Sequence, residues 1–177
     1  MTSGLGKGLV EVYTGDGKGK TTAAIGLAIR AIGRDLKIYI GQFMKTSDYG
    51  EHKALARFDD GIVIEQFGSG NFHFKEEPSK EEIERAKEGL EKIKEALLSG
   101  NYDIVIADEI CVAYYFDLLK LEHLIDLIEI KPKNVELVFT GRKAPEELID
   151  LADLVTEMKE IKHPYKKGIE ARKGIEK

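Results

Sequence analysis

An apolar run, Leu9 to Tyr13, passes through Thr14-Gly15-Asp16-Gly17-Lys18-Gly19-Lys20-Thr21-Thr22 into the alanine-rich stretch Ala23-Ala24-Ile25-Gly26-Leu27-Ala28. Strand, glycine loop and helix in that order form the context of a phosphate-binding P-loop. Glycines let backbone N–H groups turn around phosphate oxygens, Lys20 adds a point charge, and the Thr21 hydroxyl suits Mg²⁺. The start of the following helix adds its dipole. Gly15, Asp16, Gly17, Lys18, Gly19, Lys20, Thr21 and Thr22 are therefore the candidate nucleotide-binding residues. The loop departs from the general G-x-x-x-x-G-K-[ST] pattern, because Thr14 stands at the first glycine position. The GKT core is intact, and a plain turn would need neither Lys20 nor two threonines.

Short runs rich in β-branched and aromatic residues alternate with helical segments along the rest of the chain. This alternation predicts an α/β fold, a mostly parallel sheet covered by helices, and with the loop it resembles the three-layer P-loop NTPase (RecA-like) type. Strands are expected at Leu9–Tyr13, Lys37–Phe43, Ile62–Phe67, Ile104–Ala107, Glu136–Thr140 and Leu154–Glu157. Helices are expected at Lys20–Ile32, Ser79–Leu98, Leu121–Ile128 and Pro145–Leu151. The Ser79 helix has the plainest local grammar. Ser79 and Glu82 fit a capping box, Ile83, Ala86, Leu90, Ile93 and Leu97 form one apolar stripe, and Glu81–Arg85 and Glu88–Lys92 are favourable i,i+4 pairs. The strand order cannot be read from this pattern.

With 177 residues, 42% of them apolar, and no repeat or long Pro/Gly/Ser linker, the chain is expected to form a single domain over residues 1–177. A formal charge of −5 from 27 basic and 32 acidic residues does not suggest a nucleic-acid partner. No apolar run approaches the roughly 20 residues of a spanning helix. A soluble, cytoplasmic protein without membrane association is expected. Cys111 has no second cysteine to pair with, and the four histidines lack zinc-ligand spacing. Cys111 reads as a small buried side chain. Residues 159–177 carry seven basic and three acidic groups, a net +4 against −9 for the preceding 158. This basic tail could close over anionic ligand groups.

A second chemical element is Ile104-Val105-Ile106-Ala107-Asp108-Glu109, an apolar strand ending in two carboxylates. It resembles a Walker B strand, which places an acid near the metal of a bound nucleotide. Cations that could face a phosphoryl transition state are scattered over Arg30, Arg57, Arg142 and Arg172, and none forms an arginine-rich lid. The two elements thus indicate nucleotide binding more firmly than they indicate which bond breaks. A P-loop kinase or NTPase cleaving the β–γ bond, and a nucleotide-sensing module without turnover, remain alternatives.

Four segments together point further: TGDGKGKTTAAIGLAIRAIG, IGQFMKTSDYGE, IVIADEI, and FTGRKAPEELIDLADLVTEMKEIKHPYKKGIEARKGIE. In this order they resemble the P-loop type of ATP:corrinoid adenosyltransferase, from about Gly8 to Glu176. The resemblance implies transfer of the 5′-deoxyadenosyl group of ATP to the Co(I) centre of a reduced corrinoid, with release of triphosphate. Cobalt is then the nucleophile, so no serine, cysteine or general base is required. It also implies a nucleotide held in reverse, with its 5′ carbon exposed.

Carried onto this sequence, the resemblance assigns catalytic roles to Lys20, Thr21 and Glu109. Lys20 would neutralise leaving-group charge, Thr21 and Glu109 would serve Mg²⁺, and Asp108 would stand behind them as a water-mediated or indirect metal partner. Arg30 and Arg142 become additional nucleotide candidates. Phe72 and Phe74, in Gly70-Asn71-Phe72-His73-Phe74, match a segment whose two aromatics press on the corrin face and displace its lower axial ligand. Phe74 stands where the family often has tryptophan. The substrates implied are ATP and a corrinoid (cobalamin, cobinamide or a cobyrinic acid derivative). The wider partners implied are a second copy of the chain and a flavoprotein reductant.

Overall fold

In a computed structural model the described residues are 4–46, 49–58, 61–69 and 77–175. Six strands, β1 Val10–Thr14, β2 Ile38–Phe43, β3 Ile62–Phe67, β4 Ile104–Asp108, β5 Glu136–Thr140 and β6 Leu154–Glu157, form one sheet in the order β3-β2-β4-β5-β1-β6. Every pairing in it is parallel. The α/β expectation and all six strand positions hold within one or two residues.

The helices between the strands are α1 Lys20–Ile32, α2 Gly50–Leu55, α3 Lys80–Leu98, α4 Ile110–Tyr115, α5 Leu121–Ile130 and α6 Glu146–Leu151. The residue pattern predicts neither α2 nor α4. Each has only six residues, too few for a periodic apolar stripe to show. Both pack on strands of the central sheet, α2 on β3 and α4 on β5 and β2, and this packing holds a short helix that propensity alone would not.

Helices cover both faces of the sheet, which explains why β4 is apolar up to its terminal Asp108 and buried at every residue. On one face α1 contributes Ala24, Ala28 and Ala31 against Ile38, Ile40, Ile106 and Val138. On the other, α3, α4 and α5 bring Leu90, Ile93, Leu97, Ile110, Leu124 and Leu127 against Tyr39, Val105, Leu137 and Phe139. The small alanines of α1 let that helix lie close to the sheet, and this sets the P-loop at its N-terminus against the ends of the strands.

The Ser79 capping box forms as expected: the Glu82 amide donates to Ser79 Oγ at 3.2 Å, and the Ser79 amide donates to Glu82 Oε2 at 2.7 Å. The expected Glu81–Arg85 and Glu88–Lys92 pairs are replaced by Arg85–Glu88 at 2.9 Å and Lys92–Glu95 at 2.7 Å. On an exposed helix face, partners three and four residues away differ by only a few tenths of a kcal/mol, so local rotamers decide between them. Cys111 is buried among the core side chains, and that burial pushes its thiol pKa up, as expected of a structural cysteine.

The sheet register aligns chemistry across five strands. Gln66 pairs with Gln42 and Gln42 with Asp108, while Tyr13 pairs with Thr140. These positions lie at the carboxyl ends of the strands, the edge where open α/β sheets bind ligands.

Candidate active site

The phosphate loop is shaped by its glycines and by the strand beside it. Gly15 and Gly19 have φ of 94° and 126°, values that side chains with a Cβ rarely adopt. A Cβ on Gly17 would lie 2.6 Å from the Met158 carbonyl oxygen, so the loop presses on the backbone just past β6. The Gly17 amide donates to that carbonyl at 2.6 Å, and the Met158 amide donates to Thr14 O at 2.8 Å. Thr14 is the last residue of β1 and pairs with Glu157. It belongs to the sheet and needs no left-handed backbone, which accounts for a threonine at the first glycine position. Its Oγ1 also accepts from the Ala144 amide at 3.3 Å, tying the segment after β5 to the loop.

Lys20 is 6% exposed and its ammonium donates to the carbonyls of Gly15 and Gly17, both at 2.7 Å. Burial lowers its pKa, against the opposing pull of Glu109. Thr21 Oγ1 donates to Asp108 Oδ1 at 2.8 Å. Asp108 is 1% exposed and accepts four hydrogen bonds. Besides Thr21 these come from Thr140 Oγ1 at 2.7 Å on Oδ1, and from Gln42 Nε2 at 2.9 Å and Lys45 Nζ at 2.8 Å on Oδ2. A carboxylate so fully engaged organises its neighbours.

Glu109 has φ 61°, a left-handed conformation uncommon for a residue with a side chain. It caps α4, and its amide donates to Thr140 Oγ1 at 2.9 Å. This turn separates the two acids: Asp108 looks into the hydrogen-bonded row while Glu109 lines the cavity. Burial raises the Glu109 pKa and the Asp108 charge raises it further, while Lys45, Lys20 and Arg142 pull it down.

Two cavities meet here, each of about 560 Å³. The first is lined by Gly17 to Thr22, Ile25, Tyr49, Glu51, His163 and the tail residues Gly174 and Ile175. The tail reaches the loop itself, since Lys18 Nζ donates to Ile175 O at 2.8 Å. The second is more apolar, walled by Phe43, Met44, Val112, Tyr115 and Phe116, with Asp16 and Lys143 at its charged margin. Lys45, Glu109 and Arg142 line both.

The fold thus gathers Gly17, Lys18, Gly19, Lys20, Thr21, Thr22, Glu109 and Arg142 around one cavity, with Asp108 behind Thr21. Asp16 faces the second cavity. Arg30 is exposed on α1, outside both cavity linings, where its charge acts on Tyr13. Phe72 and Phe74 lie outside the described residues. Gln42, Lys45 and Thr140 join the site as donors to Asp108, and no local motif marks them as such in the sequence. Gln42 and Lys45 stand in the segment Gln42-Phe43-Met44-Lys45 at the end of β2, but only the sheet order reveals that β2 lies beside β4.

The donor set suits a small hard cation. Thr21 spends its proton on Asp108 and keeps oxygen lone pairs, and Glu109 adds a carboxylate in the same cavity. No group of three or more His, Cys, Asp or Glu that could cage a metal occurs among the described residues. Mg²⁺ shared with nucleotide phosphates needs only one or two protein oxygens.

The family described as ATP:corrinoid adenosyltransferase BtuR/CobO/CobP matches residues 6–176. A corrinoid adenosyltransferase of Sinorhizobium sp. is 36% identical over 173 residues, covering 96% of this chain and 80% of that protein. A corrinoid adenosyltransferase of Escherichia coli (strain K12) is 32% identical over 171 residues, covering 96% and 86%. The corrinoid adenosyltransferase CobA of Salmonella typhimurium is 33% identical over 177 residues, with the same coverage of 96% and 86%.

Proposed function

Because the chain belongs to the ATP:corrinoid adenosyltransferase family, whose reaction moves the adenosyl group of ATP onto a reduced corrinoid, we propose that its two adjoining cavities are the ATP and corrinoid sites. The observation that carries this reading is their shared wall. A transfer between two bulky substrates requires the reacting atoms to meet at a boundary, and Lys45, Glu109 and Arg142 form that boundary.

The P-loop cavity takes the triphosphate of ATP. Loop amides, Lys18, Lys20 and Arg142 supply positive potential, and the N-terminus of α1 adds its dipole. Thr21 and Glu109 would hold Mg²⁺ against the phosphates, where it would supply electrostatic stabilisation of the leaving group. Asp108, through its bond to Thr21, keeps that hydroxyl oriented. The second cavity offers the corrinoid an apolar face from Val112, Tyr115 and Phe116. Phe72 and Phe74 remain the residues proposed to press on the corrin and displace its lower ligand.

In the transfer, the electron pair of Co(I) forms the Co–C bond at the ribose 5′ carbon. The C5′–O bond breaks, and its electron pair leaves with triphosphate. The protein removes no proton from a nucleophile. Its work is alignment and stabilisation of the departing charge, in keeping with a site built from cations, backbone amides and oriented hydroxyls. We further propose a flavoprotein as electron donor, a homodimeric state and a cytoplasmic location. The edge strand β6, with Leu154 and Val155 about 40% exposed, supports self-association. No helix among the described residues is long and apolar enough to cross a membrane.

The direct test is anaerobic incubation of the protein with Mg-ATP and chemically reduced cob(I)alamin, following the visible spectrum and identifying the phosphate product. A light-sensitive alkylcobalamin with stoichiometric triphosphate is expected. ADP without cobalt alkylation would overturn the reading in favour of β–γ cleavage.

A further inference from the structure

We propose that Lys45 is a second leaving-group cation of this site, resting on Asp108 and exchanging that carboxylate for an oxygen of the departing triphosphate when the nucleotide fills the cavity. The inference rests on the assignment of the P-loop cavity to ATP.

Where charge appears is set by which bond breaks. In a β–γ cleavage, new charge develops deep in the phosphate loop. In adenosyl transfer the broken bond is C5′–O, so new charge develops at the ribose end of the phosphate chain, toward the boundary with the second cavity. Lys20, its ammonium held by two carbonyls of its own loop at 2.7 Å, answers that charge from within the loop and leaves room for a second cation at the boundary. Lys45 lines both cavities. It extends from the end of β2 on a flexible four-carbon stem, so its ammonium can move while its backbone stays in place.

For Lys45, leaving its resting position breaks a buried ion pair with Asp108, and the exchange is favourable only because a triphosphate oxygen takes the place of that carboxylate. The Lys45 ammonium lies 2.8 Å from Asp108 Oδ2, 3.9 Å from Glu51 Oε1 and 5.6 Å from the centre of the Tyr49 ring. When Lys45 departs, Asp108 keeps three donors in Thr21, Thr140 and Gln42, so no bare buried carboxylate remains. Gln42 is fully buried and locked in turn, since His52 Nε2 lies 2.6 Å from its Oε1. Its amide therefore stays aimed at Asp108. A lysine that served only to neutralise Asp108 would need no place on the walls of both cavities.

The test uses inorganic triphosphate with Mg²⁺ as probe, titrated by calorimetry into wild type, Lys45→Gln, Lys45→Arg and Lys20→Ala. Each variant is also assayed for turnover with pre-reduced cob(I)alamin. Lys45→Gln is expected to bind triphosphate at least tenfold more weakly and to lose on the order of a hundredfold in kcat, with Lys45→Arg recovering part of both. Circular dichroism melts of the ligand-free proteins establish that the variants fold. If Lys45→Gln is poorly folded, the charge-retaining Lys45→Arg carries the test, and a longer cation that leaves triphosphate affinity and kcat unchanged would count against a direct contact. Unchanged triphosphate affinity in Lys45→Gln beside a clear loss in Lys20→Ala would overturn the proposal while leaving the ATP assignment standing. No triphosphate binding by the wild type would remove that assignment as well.

Discussion

Thr21 and Asp108 are 87 positions apart in the chain and share a hydrogen bond of 2.8 Å between a hydroxyl and a carboxylate. Because Asp108 is an acceptor, Thr21 must be the donor, and this fixes the direction its oxygen presents to the cavity. The pairing predicts a sharp difference between two conservative changes. Thr21→Ser keeps the hydroxyl and should retain most activity. Thr21→Val keeps the shape and should lose on the order of a hundredfold in kcat, as for a lost transition-state charge contact. Initial rates across a Mg²⁺ titration check this, and equal rates for the two variants would remove the role given to the hydroxyl.

Lys20→Ala should lose activity mainly through the leaving group. At saturating ATP and with pre-reduced corrinoid, kcat is expected to fall by about two orders of magnitude or more. Near-normal turnover at saturating ATP would show that the loop amides and the remaining cations suffice.

Two glycines within ten residues of each other should respond in opposite ways to alanine. A Cβ at Gly17 would meet the Met158 carbonyl at 2.6 Å, whereas nothing lies within 4 Å of one at Gly26. Gly17→Ala should therefore displace the loop and weaken ATP binding. Gly26→Ala, on the open side of α1, should raise stability by about 0.5–1 kcal/mol. Thermal melts with and without Mg-ATP distinguish them: the Gly26 variant should melt higher in both conditions, and the Gly17 variant should lose the shift that ATP produces.

The sheet carries a pH-sensitive pair away from the cavities. Glu136 is raised to about 7 by burial and by its neighbour Glu11, although the Leu9 amide, at 2.6 Å, favours its charged form. Folding that raises a carboxylate pKa makes the native state the tighter proton binder between the two values. This group's contribution is therefore most favourable below its ordinary carboxylate value and declines as pH rises through about 7. Glu136→Gln should flatten the fall in stability between acidic and neutral pH. Urea midpoints measured across that range test it, and an unchanged slope would count against the shift.

The Phe72→Ala and Phe74→Ala double variant should impair Co(II) substrates far more than chemically pre-reduced Co(I). Ligand displacement eases the reduction of Co(II), and a substrate already reduced has no need of it. Equal loss on both substrates would remove that role.

Local patterns carried much of this protein. Gly15, Gly17 and Gly19 followed by Lys20 and Thr21 specify a phosphate loop from neighbours in the chain. Ser79 and Glu82 specify a helix start, and the unbroken apolar run into Asp108 specifies a strand covered on both faces. Each depends on backbone geometry or side-chain periodicity within a few residues, which a sequence displays directly. What the two acids do was decided by tertiary structure. The sheet order sets β5 between β1 and β4, so Thr140 reaches Asp108, while β2 on the other side brings in Gln42 and Lys45. The left-handed turn at Glu109 then sends one carboxylate into the hydrogen-bonded row and the other to the cavity wall. Strand order and register come from packing two cores across the whole chain, and such non-local choices leave no periodic trace in the residues they bring together.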